Sequence, residues 1–417
     1  MRKLLVVLMV VAFAATAFAA DVKLSGYMEV KGIYVENGGA NEDSLGEKSW
    51  WEQDGNVQAK FIVDKGTAFT VRGDFHDGTW GDPEMKAKTT GDGEAGFTIQ
   101  RAFLEHDFGK AAIHAGLMAT GGWGTAFGND VEGNYRVKLI VPVATGKLTF
   151  QTTKNYEAGD YEVEDSEKDD NDGYGVDFVG KTGAFTYGAN LTYANNSYVT
   201  NSGGVQYPST VNNSDGTQQV KLEVMLKGDL GMFGFESEFA YADVTSDILV
   251  SESATASQDY NLFGAYVNGF AKLGKTTAGL VFLYGSTDED ANKGYAFADD
   301  FDTTYIVDEL GGNALAPGKG HDDLTGYTAF KLYADYAHSD ALTLGAAFVY
   351  AFSNWDDADY EDINLYELDA YVSYQINKAL NYTVKAAYLQ VNEIGSGADQ
   401  YDADPIYYAS HMLSVAF

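Results

Sequence analysis

The sequence predicts an all-β fold: a transmembrane antiparallel β-barrel of about 18 strands, with 16 as the alternative count. Three observations predict it. The chain is built from alternating runs of about 10 residues, the connections between them are short and long in turn, and an alternating run ends on an aromatic C-terminal residue.

The 417-residue chain opens with MRKLLVVLMVVAFAATAFAA, in which Arg2 and Lys3 precede an apolar stretch from Leu4 to Phe13 and a small-x-small site at Ala17-Phe18-Ala19. This pattern predicts a secretory signal peptide over residues 1–19 and a mature chain over 20–417, read as one barrel domain. No later stretch reaches the roughly 18 consecutive apolar residues of a membrane helix. A barrel predicts the same, because lipid-facing and lumen-facing residues alternate and dilute the apolar signal.

Eight tight turns punctuate the chain: Asp64–Gly66, Phe108–Lys110, Ala144–Lys147, Lys181–Ala184, Lys227–Gly231, Leu273–Lys275, His338–Ala341 and Asn377–Leu380. Most place glycine beside a small or polar residue, as tight antiparallel connections require. Each divides two strand-like runs, which gives sixteen strands; Val22–Val35 before the first turn and Tyr407–Phe417 after the last bring the count to 18. The expected strands are 22–35, 55–64, 67–77, 95–108, 110–119, 132–144, 147–157, 173–181, 184–196, 218–228, 232–244, 259–273, 275–286, 325–338, 341–353, 364–376, 380–391 and 407–417. Connections sorted into short and long by end suit an outer-membrane barrel, with short periplasmic turns, long outer loops and an even strand number. A soluble β-sandwich has no reason to sort them.

Single strands carry the same message. Val57, Ala59, Phe61 and Val63 oppose Gln58 and Lys60, and Tyr135, Val137, Leu139, Val141 and Val143 oppose Arg136 and Lys138. An apolar face against a charged face fits lipid outside and water inside.

Composition agrees. Glycine (47) and tyrosine (29) are abundant, proline (5) is scarce and cysteine is absent, so neither disulfides nor thiolate metal sites arise. The formal net charge is −34, or −36 once Arg2 and Lys3 leave with the signal peptide (−34 − 2), which excludes nucleic acid as an expected partner. Acids concentrate in the long connections: nine over Glu157–Asp172, ten over Asp288–Asp323 and five over Trp355–Asp362. These acidic outer loops are read either as solvated faces or as places where loosely held divalent cations bridge lipopolysaccharide. Asp169–Gly173 is like a calcium loop in composition only, since the EF-hand spacing puts Lys168 at the first ligand position.

The last run, Tyr407–Phe417, places Phe417, Val415, Leu413, Ala409 and Tyr407 on one face, with His411 the exception. A terminal phenylalanine on such a run resembles the last strand of Gram-negative outer-membrane proteins, where it implies recognition by the barrel-assembly machinery. A second resemblance covers Ile99–Leu104, Asp107–Lys110 and Ala115–Leu117, which look like the Arg-Ala-aromatic strand, Phe-Gly turn and glycine-containing strand of the general bacterial porins. Those porins usually have 16 strands, and substrate-selective porins more often 18. The resemblance implies a homotrimer and an inward-folded loop between the fifth and sixth strands. The matching segment is Thr120–Asp130, with Gly121, Gly122, Trp123, Phe127 and Asp130 as the candidate constriction. An ordinary outward loop is the alternative reading of this segment.

The mature chain's only arginines, Arg72, Arg101 and Arg136, fall on early strands with Lys60 and Lys138. Charge is costly against lipid, so these five are expected to line the lumen as a basic wall. Arg101 is ambiguous, because Phe97, Ile99 and Phe103 share its parity.

Enzyme motifs are lacking: there is no G-x-S-x-G, no H-E-x-x-H and no local pair among the six histidines. Gly269–Thr276 matches phosphate-loop spacing, and Gly91, Gly93 and Gly96 match dinucleotide spacing, but neither has the strand–turn–helix context. The expected function is therefore a porin: a water-filled channel for passive diffusion of small hydrophilic solutes or ions, weakly preferring cations. The alternative is an adhesin or structural barrel acting through its acidic outer loops.

Overall fold

The computed structural model describes residues 21–37, 46–75, 78–80, 97–119, 123–128, 133–156, 171–196, 198–200, 206–208, 217–251, 254–297, 301, 303–310, 324–356, 361–393 and 402–417. The expected signal peptide lies outside this set, as does most of the acidic run 157–172.

Among the described residues, eighteen strands form one ring. They are β1 (Asp21–Glu36), β2 (Lys48–Asp64), β3 (Thr67–Phe75), β4 (Phe97–Asp107), β5 (Ala112–Ala119), β6 (Gly133–Val143), β7 (Gly146–Tyr156), β8 (Asn171–Thr182), β9 (Phe185–Asn196), β10 (Thr217–Asp229), β11 (Phe233–Ser251), β12 (Ala254–Leu273), β13 (Thr276–Gly285), β14 (Tyr327–Ala337), β15 (Leu342–Ser353), β16 (Asn364–Gln375), β17 (Leu380–Asn392) and β18 (Ile406–Ala416). Each pairs antiparallel with the next in sequence, and β1 also pairs with β18 in the register Tyr27↔Ala416 to Glu36↔Tyr407. Closure extends to the last residue, where Phe417 and Gly26 exchange two backbone hydrogen bonds of 3.1 Å. The ring removes every sheet edge, which is what lets strands cross a bilayer with their backbone satisfied.

The strand count matches the sequence expectation of 18, and two regions depart from the expected boundaries. Strand β2 begins at Lys48 rather than near 55, because Lys48–Gln53 continue the ladder with β1. Between β11 and β12 a long polar loop was expected over 245–258. Instead the ladder continues through Asp247↔Ser257 to Ser251↔Ala254, with a register shift at Leu249/Ser251. Polar composition reads as loop, whereas cross-strand pairing holds a polar hairpin extended.

The outer face is an apolar belt: Leu104, Tyr135, Leu280, Leu332 and Leu368 are each at least half exposed. His411, the polar exception on β18, covers Gly32 on this face, and its ring meets Trp51 edge-on at 4.9 Å. The barrel interior is asymmetric. Its apolar cluster draws on β1 and β11–β18 together with the segments after β5 and β13, and on none of β3–β9.

Candidate functional site

In an antiparallel ladder, residues directly opposite share a face. On the side lacking the apolar cluster, this rule gathers the five basic residues on one face: Lys60 is opposite Thr70, Arg72 opposite Arg101, Arg136 opposite Gly116 and Thr153, and Lys138 opposite His114 and Gln151. It is the face opposite the exposed apolar belt. A register shift between Arg72 and Gly73 resolves the parity of Arg101: Gly73 pairs with Ile99, so Gln100 is the extra residue. Ile99 therefore faces outward, 49% exposed, while Arg101 and Phe103 share the inner face with Arg72 and Thr70.

Acids are interleaved with these bases. Lys60 Nζ lies 2.7 Å from Glu105 Oε2, His114 Nε2 is 3.9 Å from the same carboxylate, and Arg72 Nε donates to Asp74 Oδ1 at 3.1 Å. Arg72 and Arg101 stand opposite one another, a like-charge pairing that is unfavourable in a sheet. Asp74 sits beside Arg72 and within electrostatic reach of Arg101, which offsets it.

The described part of the Thr120–Asp130 segment, Trp123–Gly128, reaches walls far from its own strands. Trp123 Nε1 donates to the Phe178 carbonyl of β8 at 3.4 Å, and the Thr125 N–H donates to Glu238 on β11. Gly124 has φ +80°, a left-handed conformation that favours glycine, and a Cβ there or at Gly128 would run into the Glu238 carboxylate. Phe127 is fully buried among Tyr266, Tyr295, Phe297 and Phe301, with ring centroids 5.3–5.8 Å away. Gly121, Gly122 and Asp130 lie outside the described residues. Behind this contact Glu223 accepts from Asn190 Nδ2 at 2.7 Å and lies 2.6 Å from Lys221 Nζ.

A second segment, between β13 and β14, also packs on the inner wall around Tyr305–Glu309, which the sequence reading did not anticipate. Thr304 and Asp308 exchange backbone-to-side-chain bonds at the start of the short helix Ile306–Leu310. Glu367 on β16, with no exposed surface, accepts the Tyr305 and Ile306 N–H groups at 2.6 and 2.8 Å. Lys331 Nζ donates to the Thr303 carbonyl at 2.7 Å, and the Lys385 ammonium sits 4.5 Å from the Tyr305 ring centroid. Glu309 pairs with Lys31 on β1 and accepts from the Tyr408 hydroxyl. Ile306 and Val307 are wholly buried. One signal was available in the sequence: Tyr305-Ile306-Val307 is an apolar triplet inside an otherwise acidic connection.

Solved structures share this architecture from end to end. Pseudomonas aeruginosa OccK3 (OpdO) superposes with a TM-score of 0.56 at 12% identity, covering 95% of this chain and 96% of the other. The fold is that of an outer-membrane porin barrel. Pseudomonas aeruginosa OccK2 (OpdF), solved in complex with glucuronate, matches with a TM-score of 0.56 at 11% identity over 95% of this chain and 96% of that one. OpdK of the same organism, solved with vanillate, gives 0.55 at 10% identity over 95% and 98%. No protein-family model matches the chain, and no curated protein does. At these identities the likeness is one of fold.

Proposed function

We propose that this chain is an outer-membrane channel through which small hydrophilic solutes or ions diffuse passively, with a weak preference for cations. One observation carries the reading: a closed barrel with an apolar outer belt has charged residues on the opposite face of β2–β8, where no apolar cluster covers them. In this reading Lys60, Arg72, Arg101, Arg136 and Lys138 are the basic wall that polar solutes meet, and the Trp123–Gly128 segment narrows the passage. Residues 1–19 direct export, Phe417 marks the last strand for barrel assembly, and the long acidic connections enrich cations at the outer mouth. The opposed signs of mouth and wall keep the preference weak.

Purified protein in a planar bilayer under a salt gradient tests this. Stepwise conductance with a reversal potential on the cation side is expected. An anion-side potential would remove the cation preference, and a folded protein without conductance would remove the channel.

A further inference from the structure

Between Phe301–Tyr305 and strands β12–β16, toward the short turns, the barrel interior holds a cavity of about 340 Å³. That volume falls within the roughly 300–1,000 Å³ of small-molecule sites. Its wall mixes aromatic rings with hydrogen-bonding groups of both senses. The Tyr333 hydroxyl donates to Asn268 Oδ1 at 3.1 Å, and the Tyr371 hydroxyl donates to Asp335 Oδ1 at 2.7 Å. Each phenol proton is thus engaged within the wall, and each phenol oxygen remains an acceptor. Lys331 and the Asn268 amide supply N–H donors to the same lining.

The rings and the space beside them depend on small residues. Gly279 is opposite Tyr333 and Gly345 opposite Tyr371 in the ladder, and a Cβ on either glycine would collide with the facing ring. Each tyrosine therefore covers its glycine rather than projecting across the lumen. Ala347, opposite Tyr333 and Asp369, completes that stretch of lining and leaves the volume open.

Charge decides what kind of solute fits. Asp335 and Asp369 both line the cavity, so a solute carboxylate would meet two acids. Lys331 lies there too, so a solute ammonium would meet a like charge. Burying an uncompensated charge is costly in either case. An uncharged ring with apolar faces and many hydroxyls meets none of these penalties and uses both donors and acceptors.

We propose that this cavity is a saccharide site that takes an uncharged hexose in its pyranose form, with sugar faces against Phe301, Tyr333 and Tyr371. The hydroxyls are held by Asn268, Lys331 and Asp335. The proposal rests on the channel reading for its supply of solute and names the solute class of that channel.

Equilibrium dialysis of the detergent-folded full chain against radiolabelled glucose, galactose and mannose, with glucuronate and glucosamine beside them, tests it. Saturable binding of at least one neutral hexose is expected, with the acid and the amine each about tenfold weaker or more. Asn268→Ala and Phe301→Ala are each expected to weaken hexose binding about tenfold, with folding verified by heat-modified gel mobility. Asn268→Ala removes little volume, so it remains informative where Phe301→Ala fails to fold. Glucuronate or glucosamine binding as tightly as the hexose, or no saturable hexose binding by the folded chain, overturns the site. Bilayer conductance measured on the same preparation separates the two readings. Conductance without hexose binding removes the site and leaves the channel; hexose binding without conductance removes the channel and leaves the site.

Discussion

On β3 and β4 two inward carboxylates answer bases of the wall itself: Glu105 takes Lys60, and Asp74 takes Arg72. On β11 and β16 two inward carboxylates hold backbone that has left the wall. Glu238 takes the Thr125 N–H, and Glu367 takes those of Tyr305 and Ile306. Glu105 keeps 19% of its side chain exposed, whereas Glu367 keeps none of its surface. The same alternation of polar and apolar residues therefore yields two kinds of wall. One is a charged wall whose acids and bases pair along it, from the partly exposed Lys60 and Glu105 to the buried Asp74 and Arg136. The other is sealed by segments that its acids fasten down.

The largest test of this contrast is Phe127→Ala. The ring joins the segment after β5 to the segment after β13, and truncating such a buried phenylalanine removes about 3–5 kcal/mol of packing. A lower unfolding midpoint in detergent and a larger single-channel conductance are expected. Unchanged conductance would mean that the junction does not narrow the path.

Next in size is Glu367→Gln compared with Glu105→Gln. Weakening the buried acceptor of two N–H groups is expected to cost roughly 1–3 kcal/mol. Neutralising Glu105, in its partly solvated pair, is expected to cost less than about 1 kcal/mol. Thermal unfolding of the two variants measures the difference, and equal losses would erase the distinction between the walls.

The smallest effect is on selectivity. Replacing Arg101 and Arg136 together with glutamine is expected to shift the cation-to-anion permeability ratio about twofold toward cations. Reversal potentials under a salt gradient report it, and no shift would show that these side chains do not face the permeating ions.

Much of this architecture was legible because its signals are local. A period of two and a glycine-bearing turn are complete within a dozen residues, so the eighteen strands emerge from the sequence and shift by only a few residues at most ends. The polar hairpin of β11 and β12 escaped because its extension depends on pairing between Asp247 and Ser257, not on apolar alternation. Arg101 could not be placed, since the bulge at Gln100 that turns it inward exists only in the register with β3.

What the sequence determined by itself was the barrel: its strand number, the ends that carry short turns, and the grouping of bases on early strands. Only the tertiary structure decided what fills it. Phe127 meets Tyr295 and Phe301 across the interior, and Tyr305 finds its acceptor in Glu367, 62 residues further along the chain. Such contacts leave no periodic trace, because ring closure, not neighbouring sequence, brings these residues within reach.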